Sequence, residues 1–575
     1  MEPRIFCHDE GTDLDGEEEV LGDYKVKKCQ STRSIQRDFV DIHRIKSWLN
    51  NCESQHTDEG CNRHREEASI ERIPLLLIDV QNDCLVQGHF SDRFFALSYV
   101  WGASRQFLTL QHNYPGLLKK GSLSTQPITQ TIRDSMTLVR NLGEQYLWVD
   151  TMCIIQDDVN NKATAIAQMS AIYSCAVATV LCFSGSSADA GLQGIPPTTR
   201  NASAIYVAPG LSVIKRPSLK LDPTETEYTY RTRAWTFQEQ LLSNRSIIFL
   251  DEQVYFQCKK ELLSEYSYDD NFADRTYLQT SLESVRLASE RNKRRNKPYS
   301  PIEEFRWYEE FVPEYTAKQM GYPADIIHAF TGVQTQLGEI FGWTFAEGLP
   351  VQLFDVALLW TPIDTVVRRV TEPPHPSWSW SGWVGRVHHK DVLANLDWPG
   401  ALHLGDKFRK AADLEIDTTS PGSLQFAGEI ITSNAFTLRR SDQQLMNTRA
   451  NLPVTPHTHF VYNQQGLRCG ILYGRQGLEN EIDEKGEFQL LRLSEWQTML
   501  QDRYYYGPYV SRLVEDGYEH KERLFDETFE NSPWCTLNVM CVQLMGKICQ
   551  RVTVGHVHAN AWREARPVQK TMEIW

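Results

Sequence analysis

Between Phe94 and Phe183 short apolar runs alternate with amphipathic stretches, and this alternation restricts the fold more than any other feature of the chain. Phe94–Val100 reads as a strand ending at Trp101-Gly102. Thr129–Leu142 turns Ile132, Met136 and Val139 to one side at helical spacing, with Gly143 where a C-terminal cap belongs. Tyr146–Val149 is a second buried strand. Lys162–Ala176 is a second helix, with Ile166, Met169, Ile172, Tyr173 and Ala176 on one face, and Ala178–Phe183 is a third strand. Strands linked through helices run parallel, because each helix supplies the crossover. The expected core is an α/β domain built on a parallel sheet.

A chain of 575 residues exceeds one ordinary core, since single domains run to roughly 100–200 residues, so three or four packed units are expected. The expected divisions are a disordered acidic lead (1–22), a helical and Cys/His-bearing segment (23–72), the α/β domain (73–260), a helical region (261–349) and a β-rich C-terminal domain (350–575). The lead carries Asp9, Asp13, Asp15, Glu17, Glu18 and Glu19. Phe39–Cys52 places Ile42, Ile45, Trp48 and Leu49 on one helical face, and Ile73–Val80 is a compact strand. Ala234–Leu242 is a short helix, and Ser246–Leu250 with Val254–Cys258 forms a hairpin. Trp307–Phe311 and Ala324–Leu337 are helical. Leu424–Ala427, Phe488–Leu493, Leu537–Leu544 and Val552–Val557 are strands, and Trp378, Trp380 and Trp383 suit a packed β core.

In an open parallel sheet, ligands bind beyond the carboxyl ends of the strands. The first strand delivers Ser98, Tyr99, Trp101 and Gly102 to that rim. The second delivers Asp150, then Cys153, Gln156 and Asp157, and the third delivers Ser184, Gly185 and Ser186. An aromatic, a carboxylate and several hydroxyls together would furnish a sugar or nucleotide pocket. The same residues also suit structure, with Trp101 and Trp148 as core and Asp150 as a turn cap. On a helix Trp235, Gln238 and Glu239 share a face, with Arg233 just before it. A carboxylate beside an aromatic rises in pKa and suits acid–base or charge-stabilising work. The bland alternative is a surface glutamate on a docked helix.

Cys52, His56, Cys61 and His64 offer four ligands chemically adequate for zinc, in the spacing C-x3-H-x4-C-x2-H. That spacing is not a common zinc-finger pattern. Thirteen cysteines without the density of a secreted scaffold point to reduced thiols and a cytoplasmic protein, with the nucleus as second address through Arg291–Lys297. That basic run equally reads as a solvated linker. A net charge of −15 argues against general nucleic-acid binding. No apolar run approaches the ~18 residues of a membrane span. The phosphate loop G-x-x-x-x-G-K-[ST], the G-x-G-x-x-G turn after a strand and H-E-x-x-H are absent, and Gly185–Asp189 fails the nucleophile elbow at its last position.

Ala96–Gly102 (ALSYVWG), Leu147–Asp158 (LWVDTMCIIQDD) and Arg233–Glu239 (RAWTFQE) stand in the order and spacing of the fungal heterokaryon-incompatibility, or HET, domain, and the chain resembles that family over about residues 73–258. Ile132–Asp134, Met169–Ala176 and Ala190–Gly194 agree, and the WL-x-x-C…H…C segment and the tail Trp562–Trp575 resemble its common flanks. The resemblance implies a part in non-self recognition and programmed cell death. It also implies a flavodoxin-like, TIR-related α/β sandwich, and some TIR domains cleave NAD at the nicotinamide–ribose bond using a glutamate. NAD is then a candidate substrate, Glu239 and Asp150 the candidate catalytic carboxylates, and Trp101 a wall for the sugar. The chain lacks a recognisable TIR catalytic string. The other reading is a non-catalytic module that signals through self-association or a protein partner.

Overall fold

The computed structural model describes residues 6–7, 19–21, 24–26, 38–57, 61–62, 73–200, 205–208, 211–213, 228–265, 282–294, 300–363, 365–389, 408–416, 422–440, 445–447, 452–453, 458–473, 488–496, 500–501, 504–505, 509–513, 519–530, 532, 534–546 and 548–575. The chain divides into two compact units, 1–286 and 287–575, where its length suggested three or four.

The first unit opens with α1 (Ile42–Gln55), started by Asp41, whose side chain accepts from the Arg44 N–H at 3.2 Å. Ile45, Trp48, Leu49 and Cys52 form its buried face. An eight-stranded sheet follows, from β1 (Pro74–Asp79), β2 (Cys84–His89), β3 (Phe94–Ser98), β4 (Tyr146–Trp148), β5 (Thr179–Cys182), β6 (Arg245–Leu250), β7 (Gln253–Cys258) and β8 (Leu262–Ser264). Their spatial order is β8-β7-β6-β5-β3-β4-β1-β2. Pairings β3–β4, β3–β5 and β5–β6 are parallel. Both flanks are antiparallel, β1 pairing with β4 and β2, and β7 with β6 and β8. The sheet is therefore mixed: the expected parallel core is present, but hairpins close both of its sides.

α2 (Gln130–Leu142) lies between β3 and β4 and ends at Gly143 in the left-handed region, φ +84°. After the short α3 (Asp150–Cys153), α4 (Val159–Cys175) connects to β5. It begins before the expected Lys162 because the Asp158 side chain caps the Asn161 N–H at 3.0 Å. α5 (Ala234–Leu242) then leads into β6. α1 packs on α2, and α4 on α5. The chain leaves β3 toward β4 and returns across it to β5, and right-handed crossovers put the two connecting helices on opposite faces. That reversal makes the carboxyl ends of β3 and β5 a topological switch point. Of the acidic lead, Phe6–Cys7 and Glu19–Leu21 are strands, and its other residues lie outside the described ones.

In the second unit, α6 (Pro301–Thr316) starts with a capping box between Ser300 and Glu303, and α7 (Thr331–Phe341) ends at Gly342, φ +76°. The helix expected over Ala324–Leu337 is broken into two 3-10 turns followed by α7. The basic run begins on the last turn of the helix Leu282–Arg294, and 295–297 lie outside the described residues. The β-rich region contains β9 (Leu424–Thr432), β10 (Arg468–Tyr473), β11 (Phe488–Trp496), β12 (Thr536–Met545), β13 (Ile548–His558) and β14 (Val568–Ile574). Pairings β9–β14, β14–β13, β13–β12, β12–β11 and β11–β9 close into a ring, which leaves those strands no free edge. Trp378, Trp380 and Trp383 are core residues, with Trp380 on a 3-10 turn and Trp383 on the two-residue strand Trp383–Val384. Their indole N–H groups donate to Gly422 O, Tyr308 Oη and Ser377 O at 3.0, 2.8 and 2.9 Å. Among the described residues no helix is long and apolar enough to cross a membrane.

Candidate functional site

β3 ends at Ser98, and the next four residues form the first wall of the strand-end site. Gly102 holds φ +60°, and a Cβ there would meet Ser186 O at 2.6 Å, so the turn after β3 lies directly against the loop after β5. The Ala188 N–H donates to Trp101 O at 3.2 Å across the same seam.

Glu239 reaches the site from α5. The Ser98 hydroxyl donates to its Oε2 and also lies 2.6 Å from the Tyr230 hydroxyl. The Tyr173 hydroxyl, from α4, favours the charged form of the same carboxylate. Tyr230 is stacked on Phe183, ring centroids 4.4 Å apart, and Tyr173 packs edge-on to Trp148 at 5.8 Å. Burial among these groups pushes Glu239 up to about 7, against Ser98 and Arg233, which favour its charged form, while Asp150 raises it further. Burial holds the Tyr99, Tyr173 and Tyr230 phenols well above their ordinary value, so all three stay neutral.

Asp150 opens α3 just past β4. It accepts from Trp101 Nε1 at 2.9 Å and from the Thr151 N–H at 2.7 Å, and Arg233 stabilises its charge. Burial nevertheless raises its carboxyl. Arg233, at the start of α5, donates to Tyr99 O at 2.7 Å. The guanidinium favours the ionised form of both carboxylates. Ser98, Tyr99, Gln238 and Glu239 are buried, whereas Trp101, Asp150, Arg233 and Trp235 are half-buried and Gly102 is exposed. Glu239 and Ser98 are thus buried beside the half-buried Trp101, Asp150 and Arg233.

Four of the expected rim residues serve the scaffold. Cys153 accepts the Val149 N–H at 3.3 Å, and burial pushes its thiol up to about 12. Gln156 donates to Asp150 O at 2.9 Å, holding the α3 turn. Asp157 is exposed and accepts from the Gln111 N–H at 2.8 Å. Ser184 accepts from the Asp251 N–H at the β6–β7 turn. Tyr173 and Tyr230 were missed by the sequence reading. Tyr173 had shown itself as an inward helix position, but nothing local aimed its hydroxyl at Glu239.

The second cluster lies apart from these groups. Cys52 and His56 come from the end of α1, Cys61 from the turn after it, and Cys258 from the end of β7. One ligand atom from each falls within 4.8 Å of all the others, and all four residues are buried. His64 lies outside the described residues, and Cys258 is the member that sequence spacing missed. His56 Nδ1 is 3.5 Å from Cys258 Sγ, and His56 Nε2 is 3.4 Å from Glu261 Oε1. The Lys260 and Glu261 N–H groups donate to Cys258 Sγ at 3.4 and 3.3 Å, and Arg245 Nε donates to Cys52 Sγ at 3.1 Å. Hydrogen bonds from Cys258 and Cys52 hold the Cys61 thiol far below its ordinary value. This donor set can hold a metal ion.

Compared with known proteins, residues 94–239 match the family model described as Heterokaryon incompatibility protein (HET). The match runs from the first residue of β3 to Glu239, inside the wider span of about 73–258 that resemblance covered. No curated protein and no solved structure matches the chain.

Proposed function

We propose that this chain, whose residues 94–239 match the heterokaryon incompatibility family model, is a death effector of fungal non-self recognition whose HET domain hydrolyses a nucleotide of the NAD type. The observation that carries the reading is Glu239, a buried carboxyl raised to about 7, standing with Asp150 and Arg233 at the strand ends. NAD carries a ribose bonded to a positively charged nicotinamide ring. Breaking that bond leaves neutral nicotinamide and an oxocarbenium-like ribose, which an ionised carboxylate stabilises. Ser98 and Arg233 favour the ionised form of Glu239 for that role. Water then adds at the anomeric carbon and releases one proton to Asp150 or solvent. The products are ADP-ribose, nicotinamide and a proton. Trp101 would flank the sugar, Arg233 would face the diphosphate, and Tyr99, Gly102, Trp235 and Gln238 would shape the rim.

A second reading rests on the same contacts. Ser98 holds Glu239 from within the fold, with Tyr230 bonded in turn to Ser98, as suits a keystone that locks α5 onto β3 in a non-catalytic module that self-associates or engages a protein partner. Incubating the full chain with NAD at high concentration while nicotinamide is quantified separates the two. Hydrolysis is expected from the wild type, with a loss of about 100-fold or more in Glu239→Gln. No release from self-associated protein, or full release from Glu239→Gln, would leave the interaction module as the better account.

A further inference from the structure

We propose that Cys52, His56, Cys61 and Cys258 bind one zinc ion in a closed, structural Cys3His site that ties the end of α1 to the β7–β8 turn. This inference is independent of any activity at the strand ends.

The geometry of the donors is the first support. Tetrahedral zinc with bonds of about 2.3 Å to sulfur and about 2.05 Å to nitrogen places its ligand atoms roughly 3.5–3.8 Å apart. His56 Nδ1 and Cys258 Sγ are 3.5 Å apart, and no two of the four donor atoms exceed 4.8 Å. Three thiols and an imidazole are soft or borderline donors, which select zinc over magnesium or calcium. All four are protein ligands, so no coordination position is left for water, and the site is structural and not catalytic.

The surroundings are those of thiolates. Two backbone N–H groups from the turn Cys258–Glu261 point at Cys258 Sγ, and the Lys259 N–H faces Cys61. His56 keeps Nδ1 toward the sulfurs because Nε2 is taken by Glu261, the carboxylate–histidine pairing that orients metal-bound imidazoles. Arg245 supplies a separate argument. It is buried, its guanidinium bonds Cys52 Sγ, Val177 O and Asn62 Oδ1, and among the described residues no carboxylate pairs with it. A buried cation needs a counter-charge. Zinc with three thiolates carries a net charge of −1, which Arg245 balances.

Binding deprotonates the thiols, releases their protons and joins a segment outside the family match to the sheet. The test is the zinc content of the full chain, purified without chelator and read by plasma mass spectrometry. One equivalent is expected in the wild type and in His64→Ala, and its loss in Cys258→Ser. Absence of zinc from the wild type, retention by Cys258→Ser, or loss from His64→Ala would overturn the ligand set. Should Cys258→Ser fail to fold, Glu261→Gln is the second variant. It keeps all four ligands and is expected to weaken zinc retention against a competing chelator by roughly 10–100-fold. Unchanged retention there would remove the role given to Glu261 and count against the site. Cobalt exchanged into the wild type should show thiolate charge-transfer and tetrahedral bands, and an octahedral spectrum would exclude the Cys3His geometry.

Discussion

Ser98 and Glu239, 141 positions apart, are joined by a hydrogen bond from the serine hydroxyl to the buried carboxylate. Through it the last residue of β3 grips the middle of α5, so the first and third sequence blocks become one site. The stability and the acidity of that site are therefore a single property.

The pH dependence follows from the sign of the shift. Glu239 has its folded pKa raised from 4.5 to about 7, so the folded state holds this proton more tightly than the unfolded chain does. The stabilisation is complete below pH 4.5 and is lost as pH rises toward 7. Relative to Glu239→Gln, which cannot titrate, the wild type should lose up to roughly 3 kcal/mol across that window. Paired denaturant titrations at several pH values measure the difference, and a flat difference would rule out a raised carboxyl.

Ser98→Ala removes a donor from a buried carboxylate without adding bulk. The expected cost is about 1–3 kcal/mol, and the Glu239 pKa should climb further because a group favouring the charged form is gone. Calorimetry reads the first effect, and carboxyl infrared bands or NMR titration the second.

Gly102→Ala tests the seam between the loops after β3 and β5. The φ of +60° and the approach of Ser186 O leave no room for a methyl group. A loss of roughly 1–3 kcal/mol is expected from strain. An unchanged melting temperature would show that the turn adjusts freely.

Arg200 and Glu265 form a two-pronged buried ion pair at 2.5 and 2.7 Å. Arg200→Met alone leaves Glu265 buried beside fewer partners and should cost about 3–5 kcal/mol. The double variant Arg200→Met/Glu265→Leu should recover much of that loss, since the stranded charge is removed as well. Equal stabilities for the single and double variants would contradict the pairing.

Much of the local structure was legible in the chain. Gly143 stops its helix for a reason confined to its own backbone, the left-handed φ that glycine adopts at low cost. The runs 94–98, 146–148 and 179–182 read as strands because neighbouring apolar residues decide that. Of the hairpins that close the sheet, β6–β7 reads directly from the chain, and β1–β2 on the other side was less visible. β1 reads as a strand, but only its register with β4, Ile78 opposite Leu147, makes it antiparallel.

By itself the sequence determined the alternation of elements, the strand-end positions of Ser98 and Asp150, and the three blocks that resemble the HET domain. Tertiary structure alone decided what meets at those positions. It brought Tyr230 to Ser98 and Ser98 to Glu239, and it set Cys258 against His56 from 202 positions away. The physical reason is range. Backbone propensity and side-chain periodicity act over a few residues, whereas the environment that raises Glu239 to about 7 and gathers three thiols around one imidazole is created by sheet order and burial.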